Sequence, residues 1–227
     1  MRPTLLRLVS LLVLGTVQAA ALAEGAAGTG DEVPTLEHCL LCHGGTAQGN
    51  AAVGGPRLAG MPTWYLKAQL QKFRTGARGS HAADIEGVAM RAVALSMRDP
   101  AAEDAVLAQV AAMAAPPASN TIAGEPVRGR DHYASCAACH GLDGAGNHAL
   151  GAPALAPLND WYLQLQLRHF RDGVRGAAAN DGTGAQMRAA MAALPDDGAI
   201  ADVVAYIRTL GASPRQLHPQ ASSERDR

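Results

Sequence analysis

The sequence predicts an all-α protein made of two tandem domains related by internal duplication, and three observations predict it. Residues Cys39-Leu40-Leu41-Cys42-His43 and Cys136-Ala137-Ala138-Cys139-His140 stand 97 positions apart. Sliding the chain by that offset superposes far more than the cysteines, without a gap. Gly49-Asn50 falls on Gly146-Asn147, Pro56 and Leu58-Ala59 on Pro153 and Leu155-Ala156, and Trp64-Tyr65-Leu66 on Trp161-Tyr162-Leu163. Gln69-Leu70 falls on Gln166-Leu167, Phe73-Arg74 on Phe170-Arg171, and Met90-Arg91 on Met187-Arg188. About half of residues 38–91 match their counterparts, the mark of one duplicated supersecondary unit. Lastly, apolar residues recur at helical spacing, and no strand-like alternation of useful length is present.

The elements follow in chain order. Arg2 and Arg7 precede an apolar run from Leu8 to Val17, and Ala21-Leu22-Ala23 fits a small-x-small cleavage site. Residues 1–23 therefore read as a secretory signal peptide; the run is short for a membrane span of ~20 residues, and an uncleaved anchor is the alternative. Residues 24–114 form the first domain, 115–126 a linker, 127–211 the second domain and 212–227 a polar, disordered tail containing Pro214 and Pro219. Trp64–Thr75 and Trp161–Asp172 read as amphipathic helices. Asp99-Pro100 is a good start for the last helix of the first copy, which carries Val106, Leu107, Val110 and Met113 on one face. In the second copy Asp196 or Asp197 caps a helix with Ile200, Val203, Val204, Ile207 and Leu210 on one face. The stretch ahead of each last helix reads as loop. In the linker, Pro116-Pro117, Ser119-Asn120 and Gly124 break helices.

Composition limits the function. Without residues 1–23 the chain has 17 basic against 20 acidic residues, which gives no electrostatic case for nucleic acid. Aromatic residues make up only 4% of the chain, so a buried prosthetic group would supply apolar bulk that the side chains lack. Four cysteines in an exported chain ordinarily mean two disulfides. Here each pair is followed at once by His, and C-x-x-C-H is the pattern of covalent c-type haem attachment. The thiols add to the haem vinyl groups, and the adjacent imidazole reaches the iron. Cys39, Cys42, Cys136 and Cys139 are thus candidate thioether links, and His43 and His140 candidate axial ligands of two covalently bound haem c groups. A redox dithiol or a Cys₄ zinc site accounts for the cysteines alone. Neither accounts for the His after each pair, nor for a duplication that carries Trp, Pro and Met with it.

A second axial ligand should repeat as well. Met90 and Met187 each lie 47 residues after the motif His, whereas Met97 aligns with Leu194 and Met191 with Ala94. Met90 and Met187 are the candidates, against the commoner fate of Met as core filler. His81 and His148 align with Ala178 and Ala51, so either would make the duplicated site asymmetric; His38, His132, His169 and His218 also go unrepeated, as surface or packing residues do. A thioether is a soft, neutral ligand that raises the potential, and six-coordinate iron leaves no position for substrate. Pro56 and Pro153, each 13 residues after the His, are candidates to offer it a carbonyl. Trp64, Tyr65, Trp161 and Tyr162 either line haem edges or fill helix cores. Arg78 and Arg175 would either neutralise propionates or lie exposed.

Together these motifs resemble the cytochrome c4 family of periplasmic dihaem cytochromes, over the whole chain after its leader. The resemblance implies two tandem class I cytochrome c domains with facing haems. It implies the ligand pairs His43/Met90 and His140/Met187, and electron transfer towards a terminal oxidase. A quinol-oxidising complex or a dehydrogenase would be the donor, and peripheral membrane association is open. Two other readings compete: a subunit accepting electrons from a periplasmic dehydrogenase, and a dihaem redox enzyme such as a peroxidase or thiosulfate oxidiser. The paired Met residues argue against the enzyme. The halves also differ. Gly129-Arg130-Asp131-His132-Tyr133 fits the family's first helix, while the first half has Glu32 to Leu36 there and should begin with a short or irregular helix; its last helix lacks a match for Tyr206.

Overall fold

The computed structural model describes residues 34–210. The leader at 1–23, the start of the first domain and the tail at 212–227 lie outside them. The regular structure of the described chain is helical, and its only sheet-like pairing is two isolated bridges, Asn50 to Gly55 and Asn147 to Ala152. Eight α-helices fall in two sets of four: α1 Leu36–His43, α2 Thr63–Arg74, α3 Ile85–Ser96 and α4 Pro100–Ala112, then α5 Pro126–His140, α6 Asp160–Arg171, α7 Gly182–Ala190 and α8 Asp197–Leu210. No described helix is long and apolar enough to cross a membrane.

Local chemistry starts and stops these helices. The Asp99 carboxylate accepts from Ala101 N, and Pro100 occupies the first turn of α4, where a missing N–H costs nothing. Asp196 accepts from Ala199 N at the start of α8. The stretches expected to be loops ahead of the last helices are α3 and α7. Each is started by a buried aspartate, Asp84 or Asp181, whose Oδ1 accepts from the amide of Gly87 or Gly184. Asx caps satisfy the free N–H groups that open a helix, so short Ala- and Gly-rich segments hold a helical turn there. Met90 and Met187 consequently project from helices.

In the first half Tyr65, Leu66, Leu70 and Phe73 on α2 pack with Val106, Leu107 and Val110 on α4; in the second, Tyr162, Leu163 and Phe170 on α6 pack with Ile200, Val203, Val204 and Ile207 on α8. The halves differ where the sequence differs. α1 has 8 residues and α5 has 15. α5 packs along α8, with Tyr133 against Tyr206 at a ring separation of 5.3 Å, while α1 touches α4 over a short contact. Gly129 permits that crossing, because a Cβ there would lie 1.9 Å from the Asp202 carbonyl oxygen.

The chain between α4 and α5 is pinned. Arg57 donates to the carbonyls of Ala115 and Pro116. Arg208 donates to those of Ala118, Ala156 and Leu158. Asp160 accepts from the amides of Thr121 and Ile122. Buried donors and acceptors are thereby satisfied by backbone that belongs to no helix.

Candidate haem-binding sites

In each half the C-x-x-C-H segment forms the last turn of the first helix. Residues i, i+3 and i+4 share a helix face, so Cys39, Cys42 and His43, and likewise Cys136, Cys139 and His140, present three groups to one side. His43 Nδ1 lies 2.7 Å from the Pro56 carbonyl oxygen, and His140 Nδ1 lies 2.9 Å from that of Pro153. A carbonyl only accepts, so each Nδ1 carries the proton and each Nε2 keeps its lone pair. Burial pulls both imidazoles below the usual histidine range, more than the carbonyl bond raises them, which keeps the rings neutral. A neutral ring with a fixed tautomer is what a metal-binding histidine requires.

Burial pushes the Cys39 and Cys136 thiols up. That is opposite to a reactive dithiol, whose nucleophile is held low. Among the described residues no three His, Cys, Asp or Glu side chains gather as a metal cluster, so the two Cys pairs do not form one zinc site.

His140 and Met187 line one cleft together with Cys136 and Cys139. Unfilled space in it amounts to about 850 Å³, part of it open to solvent, and the lining is predominantly apolar. This is the size and character of a cofactor pocket. Met191 and Leu194 line it too, so Met191 sits near the site as well. In the first half Cys39, Leu40, Leu58, Trp64 and Met90 are half-buried against the core.

The remaining predicted residues gather at the contact between the halves. Trp64, Tyr65 and Lys72 of α2, with Tyr162 and Arg175, line a pocket that adjoins this cleft and shares His140, Thr183 and Met187 with it, extending the second-half cleft to the other half. Arg78 and Arg175 are buried, each stacked on a phenylalanine of its own half, Phe73 and Phe170, at 4.6 and 4.5 Å. They reach across to the opposite half: Arg78 donates to Tyr162 Oη at 2.8 Å and to Gln166 Oε1 at 3.2 Å, and Arg175 donates to Gln69 Oε1 at 2.9 Å. The Nε of each is buried without a hydrogen-bond partner. An apolar cleft edged by the Arg175 guanidinium, with its Nε donor unspent, fits a macrocycle carrying carboxylate arms. Trp161 packs edge-on to Tyr162.

The rival histidines have other partners. His148 stacks on Trp64 across the halves at 4.4 Å, His81 Nδ1 accepts from Ala83 N in a turn, and His38 caps α1 through Thr35. Sequence reasoning did not find Gln69, Gln166, Asn159 or the Lys72–Asp181 pair. The two glutamines were visible as repeated polar residues on otherwise apolar helix faces.

Two tandem helical domains, each ending its first helix in C-x-x-C-H with the His held by a proline carbonyl, define a dihaem c-type cytochrome. The cytochrome c family profile matches residues 27–115 and again 126–211. The chain is 34% identical over 184 residues to a thiosulfate dehydrogenase electron acceptor of Stutzerimonas stutzeri, covering 76% of this chain and 81% of the relative. It is 32% identical over 209 residues to a cytochrome c4 of Pseudomonas aeruginosa, covering 89% and 98%. Among solved structures, cytochrome c4 of Acidithiobacillus ferrooxidans matches with a TM-score of 0.59 at 27% identity, over 74% of this chain and 96% of that one. A thiosulfate dehydrogenase from Marichromatium purpuratum matches with a TM-score of 0.61 at 29% identity, over 78% of this chain but 36% of that one. The chain belongs to the cytochrome c family, in its dihaem cytochrome c4 branch. It is an electron carrier holding two covalently bound haem c groups.

Proposed function

We propose that this chain is a periplasmic carrier without enzymatic activity of its own. In this reading Cys39, Cys42, His43 and Met90 hold one haem, and Cys136, Cys139, His140 and Met187 the other. The observation that carries it is the cleft shared by His140, Met187 and the two cysteines, together with the His–Pro carbonyl bond repeated in both halves. The iron supplies one-electron chemistry. The protein fixes the His tautomer, excludes water with Leu163, Leu167 and Ile207, and holds the two halves rigidly through the Arg78 and Arg175 bonds. A ligand set of His and Met would leave the iron no open position for a substrate, which suits transfer of electrons and disfavours peroxide chemistry. The domains of this reading are 24–114 and 127–211, joined by the pinned segment 115–126.

For the partners, the reading is a respiratory donor on one side and an oxidase on the other. A dehydrogenase as donor is favoured by a specific observation: relatives in two organisms are named as electron acceptors of thiosulfate dehydrogenase. The test is stopped-flow reduction of the oxidised protein by thiosulfate with a thiosulfate dehydrogenase, alongside reduction by a quinol-oxidising complex. Rapid reduction by the dehydrogenase alone selects that donor. In either case the oxidised protein should show a far-red Met-to-iron band of an intensity that counts two Met-ligated haems. One high-spin haem overturns the carrier reading.

A further inference from the structure

The contact between the halves is nearly symmetric, and its departure from symmetry is electrostatic. The duplication places His169 at the position of Lys72, Asp84 at that of Asp181, and Glu86 at that of Thr183. At one end Lys72 Nζ meets Asp181 Oδ1 and donates to Thr183 Oγ1, both at 2.6 Å, across the halves. At the other end His169 Nδ1 lies 3.7 Å from Asp84 Oδ1, and this nitrogen is buried with no hydrogen-bond partner. One end therefore sets a permanent cation against one carboxylate. The other sets a titratable ring against two.

The Lys72 end belongs to the wall of the second-half cleft, where Lys72, Thr183 and Arg175 stand alongside His140 and Met187. The duplication puts His169, Asp84, Glu86 and Arg78 at the corresponding wall of the first-half site. We propose that His169, set against Asp84 and Glu86, makes the potential of the first-half haem pH-dependent, while the Lys72–Asp181–Thr183 end leaves the second-half haem insensitive. This rests on the reading of two haem sites given above.

The charged groups facing His169 are Asp84 and Glu86, from the segment opening α3, and the guanidinium groups of Arg78 and Arg175. Burial pulls the ring down, Asp84 and Glu86 raise it, the two arginines lower it further, and the balance lies below the usual histidine range. At neutral pH the ring is neutral and both carboxylates go unopposed by it. As pH falls below about 6.5, the ordinary histidine value, the ring gains a proton and the local charge rises by one. Positive charge near a haem stabilises the added electron, so the first-half potential rises as pH falls. Each electron taken from the protein donor raises the proton affinity of Nδ1, and a fraction of a proton enters from solvent and leaves again on reoxidation.

The experiment is spectroelectrochemical titration of the holoprotein between pH 4.5 and 7.5, for wild type, His169→Gln and His169→Lys. In the wild type one potential rises with acid and the other stays flat. His169→Gln flattens the sensitive potential at its neutral-pH level, and His169→Lys flattens it at its acid level. Adding Met90→His identifies the sensitive wave as the first-half haem. A slope that persists in both variants, or that belongs to the other haem, overturns the inference. Haem content per chain is measured separately. A flat wild-type titration with two haems per chain defeats this inference alone, whereas fewer than two defeats the two-site reading with it.

Discussion

Gly129→Ala tests whether helix crossing in the second half positions its haem-attachment helix. The added methyl would lie 1.9 Å from the Asp202 carbonyl oxygen and 2.9 Å from Tyr206 Cβ. Carbon–oxygen contacts of this kind settle near 3.3–3.6 Å, so α5 and α8 must part by roughly 1.5 Å. Such overpacking costs about 1–3 kcal/mol, and a clash with backbone oxygen belongs in the upper part of that range, about 2–3 kcal/mol. Alanine recovers about 1 kcal/mol of helix propensity relative to glycine, so a propensity argument alone predicts stabilisation. The structure predicts a net loss of about 1–2 kcal/mol, since the backbone oxygen has no rotamer through which to yield. For a domain of this size that is a fall in Tm of roughly 5–15 °C. The separation also loosens the Tyr133–Tyr206 contact and the Tyr133 hydroxyl bond to Gly141 O, which tie down the end of α5 beside His140. The assay is thermal unfolding of the holoprotein followed in the haem absorption bands. Gly182→Ala serves as the control, because a Cβ there meets nothing within 4 Å. Equal melting of the two variants would refute the reasoning.

Met187→Ala should remove half of the far-red Met-to-iron band, lower the potential of one haem and admit small ligands to its iron; Met191→Ala should do none of these, and the reverse result would move the ligand by one helical turn along the same cleft. Asp160→Asn should free the segment before α5. Burial pushes the Asp160 carboxyl up, but the amides of Thr121 and Ile122, the Thr121 hydroxyl and the Trp161 amide outweigh it and hold it below the usual range. A carboxylate depressed on folding contributes its stability above the unfolded value, near 3.9, and loses it as pH falls through the lower folded value. Urea unfolding should therefore show wild type well above Asp160→Asn at pH 7 and the difference closing below pH 4.

The parts of the fold legible in the sequence were those written as local chemistry. Asp99-Pro100 marks the start of α4, the apolar faces of α4 and α8 show their period, and Leu36 in place of Tyr133 foretells a short α1. α3 and α7 escaped because their caps, Asp84 and Asp181, precede weakly apolar segments rich in Ala and Gly, where helical period carries little signal. At the sites, the His-to-Pro spacing was readable because both groups belong to one short stretch. The destination of Arg78 and Arg175 was not, since Tyr162 lies 84 residues from Arg78 and Gln69 lies 106 from Arg175. An arginine repeated in both copies can serve its own half or the other, and only the tertiary contact shows that these two serve both, Arg78 bonding Gln69 and Gln166 and Arg175 bonding Gln166 and Gln69.

That contact also explains why the copies remain one chain. α2 of the first half supplies Trp64, Tyr65 and Lys72 to the wall of the second-half cleft. Arg175 of the second half in turn bonds Gln69 of the first, so neither half completes its own polar network. Asn159 extends the dependence by accepting from Arg57 N and donating to Gln48 O in the other half. Contacts shared in this way would hold two bound haems in a fixed relation that lets an electron pass within one molecule. The same sharing gives each half a place to differ without disturbing its own ligands. Exchanging Lys72 for His169, or Ala51 for His148, changes the shared wall and leaves the C-x-x-C-H turn and the methionine register identical. The residues each half lends to the other are therefore where substitutions should separate the two potentials.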